Sequence, residues 1–137
     1  MCLYTRQMRA QRAENDIICY KTVKRRYYSA DCDSFISKYK NFIYSLGETH
    51  TTSLFCEIPP KWSLSYTIGL IKFGFHSFAD LSTAFKDRQS CEVILKCIIP
   101  KDTLYYKSSD GSCYCSKSIK IVAWKKYKSE EWKEAKE

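Results

Sequence analysis

Gly74-Phe75-His76-Ser77-Phe78, then Asp80-Leu81-Ser82-Thr83-Ala84-Phe85-Lys86-Asp87-Arg88, then Cys91-Glu92-Val93-Ile94-Leu95-Lys96-Cys97-Ile98-Ile99-Pro100: this stretch decides the fold. Leu81, Ala84, Phe85 and Arg88 recur at i, i+3, i+4 and i+7, the spacing of one helical face. Ser77 and Asp80 match a capping box ahead of that helix. The Ser77 hydroxyl is expected to accept from a first-turn N–H, and Asp80 to sit at the positive end of the dipole. A helix of about ten residues is marginal alone and must be held by packing. In the following segment Cys91, Val93, Leu95, Cys97 and Ile99 share one face, and Glu92, Ile94, Lys96 and Ile98 share the other. One face wholly apolar and one mixed predict a half-buried strand, with the helix on its apolar side. Pro100, which lacks an N–H, ends it.

Working outward, Thr103–Tyr106 reads as extended, Ser108–Ser112 as a turn centred on Asp110-Gly111, and Tyr114–Trp124 as the partner strand of a hairpin. Upstream, Ile17–Val23 alternates as a first strand, and Lys24–Asp33 is a polar connection. Phe35, Ile36, Tyr39, Phe42, Ile43 and Leu46 are spaced for one helical face stopped by Gly47. The aromatic and β-branched content keeps a strand open for Asn41–Leu46. Glu48–Ile58 suits an extended segment, Pro59-Pro60 breaks it, and Trp62–Ile71 alternates as a further strand. After Trp124 the chain turns Lys- and Glu-rich, with a short helix expected from Ser129 and Trp132 as its anchor. This order argues an α+β fold with a mainly antiparallel sheet and one or two packed helices. The expected division is a loosely docked arm over 1–16, one domain over 17–124, and a charged tail or short helix over 125–137.

At 137 residues the chain is long enough to bury a core without metal or disulfide help. Arg6, Arg9 and Arg12 are not followed by an apolar run, and no segment approaches the roughly 20 apolar residues of a membrane span, so a soluble, cytoplasmic protein is expected. Its eight cysteines are then expected as thiols. Cys19, Cys91 and Cys97 interrupt apolar alternation, where cysteine behaves as a small core residue. Cys113 and Cys115 share a strand face, which leaves a metal or redox role open. No Cys-x-x-Cys pair exists, and neither His50 nor His76 has finger spacing, so no metal or other cofactor is expected.

The net charge of +8 and pI of about 9.0 favour an anionic partner. Lys24, Arg25 and Arg26 followed by Tyr27 and Tyr28 suit a nucleic acid backbone with stacked bases, and equally a solvated loop. There is no Gly-rich phosphate loop, Gly-x-Ser-x-Gly elbow or His-Glu-x-x-His, and Glu48, Glu57, Asp80, Asp87 and Glu92 show no acid/base spacing. His76, ahead of the expected helix start, either meets a phosphate together with the helix N–H groups or bonds a neighbouring carbonyl.

Gly74 to Phe78 before a helix, followed by Cys91 to Thr103 with a Tyr-Tyr pair, resembles a family of small proteins of phages and mobile elements in Bacteroides-type bacteria. Ile17 to Lys21 and Tyr114 to Ile119 fit the same pattern, so the resemblance covers roughly Ile17 to Val122. More remotely the order is similar to ADP-ribosyltransferase folds. Those carry a Gly-Phe-x-Ser-like strand before a helix, then an apolar strand ending Pro-x-x-Thr. That resemblance places the catalytic glutamate near Cys113 to Ser116, where no acid stands, and Tyr20-Lys21 where an Arg or His belongs. It therefore implies a nucleotide-type cleft without transfer chemistry, unless Glu92 is brought into it.

The expectation is a non-catalytic, phage-encoded binding protein that sequesters an ADP-ribose-like or cyclic-nucleotide signal of host defence. Tyr20, Tyr105, Tyr106 and Tyr114 would stack on a base, Lys21 and His76 would meet phosphate, and the Ser77 region would supply N–H donors. The alternatives are an ADP-ribosyltransferase-like enzyme and a basic module that binds nucleic acid or an acidic host protein through Lys24 to Tyr28.

Overall fold

The computed structural model describes residues 3–7, 9–25, 34–37, 42–55, 69–71 and 74–134. In chain order the elements are β1 (Leu3–Thr5), β2 (Gln11–Arg12), β3 (Ile17–Arg25), β4 (Ser34–Ser37), β5 (Ile43–Ser45), β6 (Thr49–Thr51), β7 (Gly69–Ile71) and β8 (Phe75–Phe78). They continue with α1 (Leu81–Asp87), β9 (Glu92–Ile99), β10 (Leu104–Lys107), β11 (Cys113–Ser116), β12 (Ser118–Lys125) and β13 (Lys133–Glu134). The fold is α+β in the broad sense: antiparallel sheet with one short helix among the described residues.

The main sheet runs β13-β12-β9-β3-β8-β11-β10-β2, with β4 beside β3, β5 beside β4 and β6 beside β12; β1 and β7 form a separate pair. One connection dictates its shape. Only Lys117 separates β11 from β12, although the two strands stand four places apart in the sheet. Strands spaced about 4.8 Å apart would put them about 19 Å from one another in a flat sheet. Two Cα steps reach at most about 7.6 Å. The sheet therefore curls round until β11 and β12 meet as the two arms of one bent strand.

Residues directly opposed across a ladder share a face, and their chain neighbours take the other. Cys19 opposes Cys97, Lys21 opposes Leu95 and Val23 opposes Val93, and these point inward. Ile121 and Trp124 join the same side despite their three-residue separation, because a bulge between Ile121 and Ala123 shifts the register. Phe35, Tyr44 and Phe75 fill the remaining inner space.

That filling overturns the expected position of the helix. The apolar face of β9 is covered by rings from β4, β5 and β8, so α1 packs on the mixed face, where Ala84 meets Ile94 and Phe78 beside Tyr20 and Trp132. Nor does Ser77 cap α1. It lies inside β8 opposite Tyr114, and the N-cap is Asp80, which makes no side-chain cap bond. Leu81, Ala84 and Phe85 form the expected stripe, but Arg88 has left the helix for an extended conformation (φ −69°, ψ 130°).

The helix expected over 35–46 is instead a pair of strands, with Phe35 opposite Tyr44 and Ile36 opposite Ile43. Rings and β-branched side chains suit a pleated, half-buried surface better than a helix. Gly47 serves there as a turn residue at φ 86°. Tyr114–Trp124 is broken at Lys117: β11 completes the expected hairpin with β10, while β12 pairs with β9. The expected terminal helix is a turn leading to β13, which pairs with β12, and Trp132 anchors it by stacking on Tyr20 at 6.2 Å. The N-terminal segment contributes two short strands. β1 pairs with β7, β2 pairs with β10, and Thr5, Ala10 and Ala13 are buried. The rest of Lys24–Asp33 beyond Arg25, Tyr39, residues 56–58 and Trp62–Ile68 lie outside the described residues. Among the described residues no helix is long and apolar enough to cross a membrane.

Candidate anion-binding site

The seven residues expected to line one cleft divide between the two sides of the sheet. Ser77 opposes Tyr114 and Tyr105 opposes Ser116, which places Ser77, Tyr114 and Tyr105 on the inner side with Lys21. Tyr20 opposes Phe78, while His76 and Tyr106 both oppose Cys115, so Tyr20, His76 and Tyr106 lie on the outer side. Tyr106 is fully buried and offers no ring to a ligand. His76 stands inside β8, well ahead of the Asp80 N-cap, and so is not a helix-start residue.

On the inner side, Lys21 is already engaged. Its Nζ donates to the His76 carbonyl and lies 5.3 Å from the Tyr44 ring centroid. That bond crosses a thin seam, since the β3–β8 ladder registers one pair, Tyr20 with Phe78. Tyr105 and Tyr114 meet edge-on at 5.9 Å, and burial pushes the Tyr114 hydroxyl above its ordinary value. Of the basic run, Lys24 is exposed and the Arg25 guanidinium lies 4.5 Å from the Trp124 ring centroid. Arg26, Tyr27 and Tyr28 are outside the described residues.

A different hollow gathers cations and rings. Phe85, Lys86 and Arg88 at the end of α1 face Tyr127 and Lys128 in the turn after β12 across an open surface hollow of about 270 Å³. Arg88 and Lys126 each lie 5.5 Å from the Tyr127 centroid, and Lys128 lies 5.6 Å from that of Phe85. Beneath them Lys125 is 7% exposed, placed 5.8 Å from the Phe85 centroid and 4.6 Å from that of Trp132. Its hydrogen bond to the Lys128 carbonyl is long at 3.5 Å.

The neighbouring carboxylates are drawn elsewhere. Asp87 accepts from the Thr22 hydroxyl, Glu92 from the Gln89 N–H, and Glu130 pairs with Lys133 while accepting from the Tyr127 N–H. Arg88 donates to the carbonyls of Gln89 and Glu92. Among the described residues none of Lys86, Arg88, Lys125 and Lys128 forms an ion pair. Lys86 and Lys128 are exposed and Arg88 is half-buried, so the buried Lys125 ammonium is the cation that an anion would relieve most. Tyr127, 51% exposed, is the most open ring of the hollow, with Arg88 and Lys126 over it.

The sequence pattern that marks this hollow is Lys125-Lys126-Tyr127-Lys128, the same interleaving of cation and ring seen at Lys24 to Tyr28. Nothing local to Lys86 and Arg88 marks the hollow, because their approach to residues 125–128 is tertiary. No group of three or more His, Cys, Asp or Glu side chains among the described residues is placed to hold a metal. No family model, curated protein or solved structure matches the chain.

Proposed function

We propose that the protein is a non-catalytic binding module that holds an anionic, ring-bearing ligand of nucleotide type in the hollow between α1 and the turn after β12. The observation that carries this reading is the cluster of Lys86, Arg88, Lys125 and Lys128 around Phe85 and Tyr127, without a carboxylate partner among the described residues. Phosphate oxygens suit the guanidinium and ammonium groups, and a base would stack on exposed Tyr127 by displacing one of the cations over its ring.

The resemblance to phage and mobile-element proteins makes nucleotide signals of host defence the ligands to test first. The ADP-ribosyltransferase-like arrangement belongs to the same proposal, supported by the succession β8, α1, β9. Binding without turnover is favoured because β11 carries Cys, Tyr, Cys and Ser, while Glu92 is 1% exposed and bound to the Gln89 N–H.

Calorimetry with ADP-ribose and cyclic dinucleotides tests the reading. Arg88→Ala is expected to weaken binding about tenfold or more, the loss of one hydrogen bond to a charged group. No heat at high micromolar ligand retires the proposal, and turnover of labelled NAD replaces it with the enzyme reading. Binding of oligonucleotides alone, with a steep salt dependence, replaces it with the nucleic acid reading.

A further inference from the structure

Cys19 and Cys97 are register partners on β3 and β9, both fully buried on the inner face and both free thiols. Lys21 stands two residues further along the same face of β3, and its charge acts on both sulfurs. Ser77, 1% exposed, carries a hydroxyl with no hydrogen-bond partner of its own, which is costly to bury. That hydroxyl acts on the Cys19 sulfur, drawing its thiol down, while falling short of hydrogen-bond geometry. The pair is unequal. Cys97, Ser77 and Lys21 draw the Cys19 thiol below its ordinary value, whereas burial pushes Cys97 well above.

The two walls around the pair differ in strength. Eight register pairs join β3 to β9 and keep the sulfurs aligned. One pair joins β3 to β8, and it involves Tyr20, the residue next to Cys19. Were that seam to open, the inner side would be exposed while the eight β3–β9 pairs hold the sulfurs aligned.

We propose that Cys19 and Cys97 form a redox pair that a hydroperoxide closes into a cross-strand disulfide, with Cys19 as the attacking sulfur and Lys21 and Ser77 as its positioning residues. The Cys19 thiolate attacks one peroxide oxygen and the O–O bond breaks. Cys19 becomes a sulfenic acid, and the departing hydroxide takes the Cys97 proton to leave as water. The Cys97 thiolate then attacks the Cys19 sulfur and the S–O bond breaks. The second hydroxide leaves and is protonated by solvent. In sum, two thiols and one hydrogen peroxide give one disulfide and two waters, with two electrons passing from sulfur to oxygen.

The test treats the full chain with hydrogen peroxide, blocks remaining thiols under unfolding conditions, and maps the products by mass spectrometry without reductant. The expected product is a peptide pair linked through Cys19 and Cys97, with two hydrogens lost. Cys91, exposed, and Cys113, half-buried, face no cysteine across a ladder and should appear only as blocked or singly oxidised thiols. Ser77→Ala, which removes an unpaired hydroxyl and so should still fold, is expected to form the link about tenfold more slowly, with reduced ultraviolet thiolate absorbance. Both sulfurs recovered as thiols while Cys91 and Cys113 oxidise would overturn the proposal. Wild-type rate and absorbance in Ser77→Ala would overturn the role given to that hydroxyl.

Discussion

Lys21→Met isolates the contribution of one ammonium group to the β3–β8 seam. Methionine keeps the length and apolar bulk of the side chain, so the packing of the stem against the inner core is largely retained. What disappears is the bond to the His76 carbonyl and the contact with the Tyr44 ring. A hydrogen bond from a charged donor contributes about 1.5–3 kcal/mol. A cation over a tyrosine face adds about 0.5–1 kcal/mol. Relief of the partly desolvated ammonium offsets some of this, leaving an expected loss of about 2 kcal/mol. For a domain of this size that lowers Tm by about 8 °C. Thermal and urea unfolding measure the loss, and Lys24→Met on the exposed side of the same strand is the control, expected within about 0.5 kcal/mol of wild type. Native-state hydrogen exchange locates the effect: amides of β8 should lose protection while those paired between β3 and β9 keep it. A Lys21→Met protein as stable as the control, with β8 protection unchanged, refutes the idea that this side chain ties the seam.

Gly74→Ala should cost about 3 kcal/mol or more, because an added Cβ would lie 2.5 Å from Cys115 Sγ at a φ of +134°. Gly111→Ala, at φ +79° with its nearest neighbour 3.5 Å away on flexible Lys107, should cost only about 1 kcal/mol; urea midpoints separate the two. Ile94→Ala should cost about 3 kcal/mol and weaken ligand binding through α1, since Ile94 is fully buried in the cluster that holds Ala84 and Phe85; unfolding and calorimetry read both effects. Hydrogen bonds from Ser108 and from the Ser112 N–H and hydroxyl hold the Asp110 carboxyl down to about 2. Its folded value being depressed, the support it gives the β10–β11 turn is complete above the unfolded value and fades as pH falls from about 4 toward 2. A carboxyl NMR titration of Asp110 with a midpoint near 4 would contradict this.

The elements most legible in the sequence were those in which local pattern and global pairing agree. β3 and β9 alternate without interruption, and Asp110-Gly111 marks its turn by backbone chemistry alone. The segment containing Phe35, Ile36, Phe42 and Ile43 satisfies a helical spacing by coincidence, because a folded-back pair of strands repeats its apolar residues at a similar interval. Which face of β9 receives α1 was not legible, since it depends on distant rings reaching the other face first. The candidate cleft held a contradiction already visible in the chain. Tyr20-Lys21, His76-Ser77 and Tyr105-Tyr106 are each neighbours on a strand, and strand neighbours point to opposite sides. No single hollow on a strand surface receives both members of such a pair. The hollow at Arg88 and Tyr127 needs residues some forty positions apart to meet, which no local period encodes.

The bend at Lys117 also has a bearing on synthesis. A nascent chain ending at Ser116 has made β3, β9 and β8, but the flank of β9 opposite β3 has no partner until Ile119, Ile121 and Trp124 emerge. Up to that point a long, apolar, unpaired strand border faces solvent or a holding chaperone, the condition in which sheets associate with other chains. Ribosome stalling ahead of β12, more than heat applied to the finished protein, is therefore the circumstance in which this molecule should aggregate.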